Sequence, residues 1–391
     1  MILFEEALEK VVQNGQPIGT ETLPFMETTG RVLATDIRSD VDMPPFDKSA
    51  MDGYACRRQD LANELTIIET VPAGGVPLKK IGKNECAKIM TGAPVPEGAD
   101  TVIMVEHTLQ PADNKIVFLK DHTKSNICQQ AEDVKKGDVV LTKGTLIHPK
   151  HIPVMASVGV TKAEVYQLPR MAVIATGNEL VEPGIQPDKA QIRNTNAYQL
   201  MAQAEQLGMP VHYIGLAKDT PREISRLLEK AQDVADIILL TGGVSMGDFD
   251  FVPAILKHMG IKVLFHGIYA KPGKRTLFGT RNKKWFFGLP GNPVSSFVQF
   301  EMLVKPLVYK IMGVKVLPPD LKLPIHADYY RPNGVRKAFL PVKMLADGSV
   351  RPLDYHGSAH INALSYAHGL MIIERGVVKL KKGELVDVRP I

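Results

Sequence analysis

The sequence predicts a multidomain α/β-plus-β protein. Its parts are a central doubly wound, mostly parallel α/β domain, a β-rich inserted domain, an elongated linking module and a small C-terminal β-barrel. Three observations lead there. Between residues 169 and 317, short apolar runs alternate with amphipathic stretches at the spacing of strand–helix units. Residues 41–133 instead hold short β-prone runs among many glycines and prolines, and residues 318–391 return to short strands and turns. The remaining pieces, 1–40 and 134–168, flank the first β-rich region, which reads as an insertion between two parts of one module.

The elements follow in order. A helix is expected over residues 4–12. LTIIETV, CAKIM, DTVIMVE and KIVFL supply strands of the inserted domain, where no stretch has a helical pattern. MAVIAT opens the central domain as a buried strand. NTNAYQLMAQAEQLG then reads as a helix capped by Asn194 or Thr195, with Leu200, Ala204 and Leu207 on one side and Gly208 as its stop. VHYIGLA is a strand, and TPREISRLLEKAQDVA is a helix with Thr220 as cap, Pro221 in the first turn and Glu223 completing a capping box. DIILL leads into TGGVSMGD, a helix over residues 251–259 follows, and IKVLFHGI, KRTLFG and KWFFGLPG are further strands. A long helix over residues 293–312 closes the domain. FLPVKML, SVRPL, GLMIIE and ELVDVRP are strands of the last one.

Composition narrows the functional classes. A chain of 391 residues with 45% hydrophobic and 23% charged side chains can bury a sizeable core without disulfides or structural metal. No apolar run approaches the length of a bilayer span, and MILFEEALEK places glutamates where a secretory leader needs basic residues, so a cytoplasmic protein is expected. The net charge of +5 suits an anionic small ligand. With aromatics at 6% and basic residues scattered, no stripe for stacking nucleic-acid bases exists. Cys56, Cys86 and Cys128 are odd in number and show no CxxC spacing, which implies neither a disulfide framework nor a zinc knuckle.

Candidate chemistry gathers at the ends of the central strands. In TGGVSMGDFD, Gly242, Gly243 and Ser245 form a loop whose bare N–H groups could approach an anion, while Asp248 and Asp250 offer oxygen ligands for a hard cation. A glycine turn with an aspartate capping the next helix is the plainer alternative. Glu179 in ATGNEL and Asp219 in GLAKD fall at the same predicted sheet edge, with helix-terminal charge and helix capping as alternatives. GLPGNPVSS fixes a sharp turn through Pro290 and Pro293 and offers Ser295. KPGK sets Lys271 and Lys274 around another turn, able to balance a multiply charged ligand or simply to be solvated. Outside the central domain, PPFDKSAMDGYA holds Asp52, MTGAPVPEGAD holds Thr91, and HGSAHINAL holds Ser358. No Ser-His-Asp or Cys-His order is present.

Taken together, PPFDKSAMDGYA, IMTGAPVPEGAD, the AED ending at Asp133, ATGNEL, TGGVSMGDFDF, KPGK, GLPGNPVS and the late HGS make a set that strongly resembles the bacterial MoeA family, to which the plant Cnx1 E-domain and the C-terminal part of gephyrin are related. The resemblance covers nearly the whole chain. It implies a molybdopterin molybdenumtransferase that inserts molybdate into adenylylated molybdopterin and releases AMP with Mg²⁺. By the same resemblance Glu179 and Asp250 lie around the metal with Asp219 nearby. Lys271, Lys274 and Ser295 receive molybdate or phosphate, Pro290 and Pro293 shape that pocket, and Ser358 joins it from the C-terminal domain. Asp52, Thr91 and Asp133 are implied to reach the partner's cleft in a homodimer. Transient contact with molybdopterin adenylyltransferase and with molybdoenzymes is also implied, and no nucleic acid or membrane.

Two positions depart from the family pattern. Asn194 in RNTN stands where the family often has aspartate, and Pro341 in FLPV replaces a family arginine, for which Arg336 or Lys343 could substitute. Two other readings remain: a molybdopterin adenylyltransferase, which makes the adenylate instead of using it, and a non-catalytic gephyrin-like scaffold.

Overall fold

The computed structural model describes residues 1–244, 251–315, 318–353, 357 and 360–391. It divides into two compact units, one formed by residues 1–35, 143–148 and 162–391, the other by 36–142 and 149–161.

The first unit is built on a six-stranded sheet of β1 (Met171–Thr176), β2 (Val211–Ala217), β3 (Ile237–Thr241), β4 (Lys262–His266), β5 (Leu277–Arg281) and β6 (Lys284–Leu289), in the order β2–β1–β3–β6–β5–β4. Successive side chains of β1 point to opposite faces: Met171, Val173 and Ala175 join one core, Ala172 and Ile174 the other. Helices cover both faces, which explains why the strands are continuous apolar runs and not alternating ones. On one face lie α1 (Asn196–Gln206) and α4 (Pro293–Gln299), through Leu200, Ala204, Val294 and Val298. On the other, α2 (Pro221–Val234) buries Ile224, Leu227, Leu228 and Ala231, and α3 (Val252–His258) buries Ile255 and Leu256.

Three local points refine or correct the expectations. First, the sheet is mostly parallel as expected, with β2, β1, β3 and β6 running parallel, but one side is antiparallel through β4–β5 and β5–β6. The cause is the two-residue turn between β5 and β6, where Asn282 and Lys283 both adopt positive φ (50° and 60°), the twist that a tight hairpin requires. Second, only half of the capping box on α2 forms. Thr220 Oγ1 accepts from Glu223 N–H at 3.4 Å, while the Glu223 carboxylate pairs with Arg226 and Thr220 N–H donates to the Lys218 carbonyl. Third, the long closing helix is interrupted by a π-turn at Phe300–Val304 before it resumes at Lys305–Ile311. Pro306 has no N–H to give the Met302 carbonyl, so a regular ladder cannot run through this point.

The same unit carries the C-terminal strands. Ala270–Lys271, Lys337–Met344, Gly369–Ile373, Leu385–Pro390 and Leu321–Pro324 pair in that order, and Val350–Pro352 pairs with Lys337–Met344. A bridge from Ile325 to Val350 brings the pairing back on itself around a core of Ile325, Leu340, Val342, Met371 and Val388. Lys337 Nζ, between Glu5 (2.9 Å) and Glu374 (2.7 Å), ties the N-terminal helix Phe4–Gln13 to this sheet.

The second unit holds another six-stranded sheet, in the order Thr101–Met104, Gly53–Cys56, Glu85–Ile89, Leu65–Val71, Lys115–Phe118, Thr108–Ala112. Cys56 and Cys86, distant in sequence, are register partners here. Burial pushes each thiol up to about 12, which leaves both protonated and unreactive at neutral pH. A short helix, Ile152–Ser157, was not anticipated. Among the described residues, no helix is long and apolar enough to cross a membrane.

Phe287, fully buried in β6 with its ring 4.8 Å from that of Phe278, tests the central core. Phe287→Ala is expected to cost about 3–5 kcal/mol in urea denaturation; a loss below about 1 kcal/mol would mean that this face is not close-packed.

Candidate functional site

In the first unit, the chain leaves β1 for β2 on one side and β2 for β3 on the other. The strand order therefore reverses between β1 and β3, and their carboxyl ends leave a crevice. A cavity of about 820 Å³ lies there. Thr176, Gly177 and Glu179 reach it from β1, Gly242 and Gly243 from β3, and Pro290, Pro293 and Ser295 from the turn after β6.

Glycine is obligatory after β3. Gly242 has φ +95°, and a Cβ there would fall 2.3 Å from the Thr176 carbonyl oxygen. At Gly243 it would fall 2.8 Å from Thr176 Oγ1, a buried hydroxyl with no hydrogen-bond partner among the described residues. The two strand ends thus meet backbone to backbone; contrary to the expectation of bare amides here, the Gly242 N–H donates to the Leu289 carbonyl (3.2 Å).

Asn196, at the start of α1, fixes a third loop to these two. Its Nδ2 donates to Thr241 Oγ1 (2.8 Å) and to the Gly291 carbonyl (2.7 Å). Asn178 and Asp219 join the segments after β1 and β2 reciprocally, Asn178 N–H to Asp219 Oδ2 at 3.1 Å and Asp219 N–H to Asn178 Oδ1 at 3.2 Å. On the opposite wall, Gln299 Nε2 donates to the Pro272 carbonyl (2.8 Å) and Thr276 Oγ1 to the Gly273 carbonyl (2.8 Å), which holds the KPGK turn against α4. The starts of α1 and α4 both line the cavity, so the positive ends of their dipoles add to its potential.

Charge follows the same pattern. Arg193, Lys271, Lys274, Arg275 and Arg336 line the cavity against Glu179 and Asp219. The Glu179 side chain is exposed and takes no hydrogen bond among the described residues. No group of three or more His, Cys, Asp or Glu capable of holding a metal occurs among the described residues. The arrangement suits a ligand with several negative charges.

Glu179, Asp219, Gly242, Gly243, Lys271, Lys274, Pro290, Pro293, Ser295 and Arg336 all line this one cavity. Ser245, Asp248, Asp250 and Ser358 lie outside the described residues. Of the two substitutes for the family arginine, Arg336 is in the lining. Lys343 is exposed and absent from it, and Pro341 is buried within Lys337–Met344. Asp52, Thr91 and Asp133 belong to the second unit. There Asp52 Oδ1 accepts from Thr91 N–H (2.6 Å) and Thr91 Oγ1 (2.8 Å), and these bonds hold the Asp52 carboxyl below the usual carboxylate range. Asp133 lines a different hollow of about 730 Å³ with Asp42, Lys48 and Cys128. Sequence reasoning overlooked Arg193, Arg275 and Asn196 as lining residues. Arg193 and Asn196 border the predicted cap of α1, and Arg275 directly follows KPGK, so adjacency to those motifs was the available signal.

Gly242→Ala is expected to destabilise the protein by about 1–3 kcal/mol, since neither backbone can yield; a wild-type melting temperature would refute the close contact. Thr91→Val should move the Asp52 pKa upward toward the ordinary aspartate value in an NMR titration. The sign follows from the depressed native value: stabilisation from these bonds is present above the unfolded pKa and is lost as pH falls through the folded one. An unmoved Asp52 titration would refute that cause.

Comparison with known proteins agrees with this geometry. Residues 2–159 match the model of the MoeA N-terminal region (domain I and II), residues 172–310 a probable molybdopterin binding domain, and residues 325–391 the MoeA C-terminal region (domain IV). A molybdopterin molybdenumtransferase of Staphylococcus epidermidis RP62A is 34% identical over 397 residues, covering 99% of this chain and 95% of the relative. The enzyme of that name from Staphylococcus aureus N315 is also 34% identical, with the same coverage. The crystal structure of the molybdopterin biosynthesis protein MoeA from Pyrococcus horikoshii OT3 is similar with a TM-score of 0.86 at 32% identity, over the full length of both chains. With a cavity built for anions at the switch point of its sheet and full-length relatives of this kind, the chain belongs to the MoeA family.

Proposed function

We propose that the protein is a molybdopterin molybdenumtransferase, which inserts molybdate into adenylylated molybdopterin with Mg²⁺-dependent release of AMP. The observation that carries this reading is the convergence of five basic side chains, a glycine turn and two helix starts on one cavity. One substrate carries a pyrophosphate bridge and the other is a tetrahedral oxyanion, so such a site must tolerate concentrated negative charge.

Lys271, Lys274, Ser295 and Arg336 receive molybdate or phosphate, and the loop of Gly242, Gly243 and Ser245, free of bulky side chains, lets the pyrophosphate approach, while the Gly242 N–H stays with the Leu289 carbonyl. Pro290 and Pro293 keep the turn before α4 in shape. Ser358 completes the molybdate side. Mg²⁺ fits the donor set, since Glu179 presents a carboxylate without a side-chain partner among the described residues and Asp219 lines the same wall. Glu179 and Asp250 would hold it, with Asp219 nearby and the phosphates supplying further oxygens. When bound, it neutralises phosphate charge. The protein's own groups position the two substrates and stabilise charge on the departing AMP, and no side chain forms a covalent intermediate.

The wider reading keeps the division into four domains at 1–40 with 134–168, 41–133, 169–317 and 318–391, and a cytoplasmic homodimer. In that dimer Asp52, Thr91 and Asp133 reach the cleft of the partner subunit.

Purified protein supplied with molybdate, Mg²⁺ and adenylylated molybdopterin should release AMP. Lys271→Ala is expected to slow release by about 10²-fold and Asp250→Ala to stop it, both with unchanged circular dichroism. Full turnover in both variants would refute the assignment of these residues, and ATP consumption with bare molybdopterin would point to the adenylyltransferase reaction instead.

A further inference from the structure

A hydrogen-bonded chain runs from the surface to the cavity wall just before α1. The Glu182 carboxylate accepts from Tyr198 Oη on one oxygen (2.8 Å) and from Tyr213 Oη on the other (2.5 Å). Asn194 Nδ2 in turn donates to Tyr213 Oη (3.0 Å). Asn194 is 1% exposed and lines the cavity; its Oδ1 accepts from Ala197 N–H (3.3 Å) in the first turn of α1, and its own N–H donates to the Val181 carbonyl (2.8 Å). Asn194 therefore sits between the chain and the ligand space.

The order of donors leaves one arrangement. A phenol has a single proton, and Tyr213 commits it to Glu182, so toward Asn194 its oxygen can only accept. The Asn194 amide must then turn its NH₂ to the phenol and its carbonyl to the start of α1. Burial removes the alternative of exchanging these bonds with water. Burial, followed by the Glu182 carboxylate, pushes the Tyr213 phenol well above its usual value, so it keeps its proton across the physiological range.

The consequence concerns charge. The first turn of α1 is capped by a neutral amide oxygen, so the partial positive charge of the helix start is not cancelled by a carboxylate. Arg193 and Asn196 line the cavity on either side of this cap. We propose that Tyr213 and Glu182 are positioning residues that act through Asn194, orienting its amide so that this end of the cavity accepts a phosphate group of the adenylylated substrate. The inference rests on the function proposed above. It makes position 194 a determinant of how strongly that end binds anions.

AMP binding by calorimetry and AMP-release kinetics, both on the full chain with Mg²⁺, test it. Tyr213→Phe should weaken AMP binding and raise KM for adenylylated molybdopterin by about five- to tenfold, the worth of one ordered hydrogen bond, with kcat changed by less than about twofold. Glu182→Gln, which keeps the volume, should shift KM in the same direction and carries the test if Tyr213→Phe fails to fold. Asn194→Asp, placing a carboxylate at the cap, should weaken AMP binding further than Tyr213→Phe. Tyr198→Phe shares Glu182 but does not touch Asn194, and should leave both constants within about twofold of wild type.

Unchanged AMP affinity and KM in folded Tyr213→Phe and Glu182→Gln would overturn the inference while leaving the function standing. An equal loss in Tyr198→Phe would overturn it too, as would a fall confined to kcat. A wild-type chain that neither binds nor releases AMP would overturn the function and this inference together.

Discussion

The contact of Gly242 with Thr176 is the constraint on which the site depends. Two neighbouring parallel strands end at the same level, and their following loops diverge because the strand order reverses between them. A side chain at either glycine would wedge the loops apart. Without one, the main chain after β3 turns over the end of β1, with the Gly242 N–H held by the Leu289 carbonyl of β6. Asn196 then fastens the turn after β6 to the same place, so three loops share one anchoring amide. Its reach from a helix start to a buried threonine and a peptide carbonyl replaces what would otherwise be three independently mobile segments.

Electrostatics gives this framework its purpose. Five cationic groups around one cavity repel one another, and the two carboxylates in the lining offset only part of that charge. The empty site is consequently less stable than a filled one, and ligand binding to the native state raises stability by mass action. The protein keeps these charges apart by mounting them on different elements: Arg193 on a short ladder before α1, Lys271 on the strand Ala270–Lys271 with Lys274 and Arg275 in the turn after it, and Arg336 beside the long strand of the C-terminal sheet.

Much of this was legible in the residues. Continuous apolar runs such as MAVIAT and IILL identified strands buried on both faces, because only helix-covered parallel strands have no polar side. Gly242, Lys271 and Ser295 could be placed at strand ends because turn chemistry is local. What escaped notice depends on distant partners. The antiparallel β5–β6 pair hangs on positive φ at Asn282 and Lys283, and RNKK is not a usual hairpin sequence. Glu223 completed a capping motif in sequence but pairs with Arg226 one turn on. The opposition of Cys56 and Cys86, like the chain from Glu182 to Asn194, arises from register between segments far apart along the chain.

The pairing of Ala270–Lys271 with Lys337–Ala338 has a mechanical meaning. Lys271 lies on a short end strand of the C-terminal sheet, paired only with the start of Lys337–Met344, and Arg336 immediately precedes that ladder. Lys271 and Arg336 are thus carried by one sheet and the glycine wall by another. Such a cleft grips like a vice whose two jaws are cut from separate blocks: slight rocking between the blocks alters the gap without bending either face. A solitary nucleotide-binding fold with the same glycine loops would own one jaw only, and would have to clasp its anion against solvent.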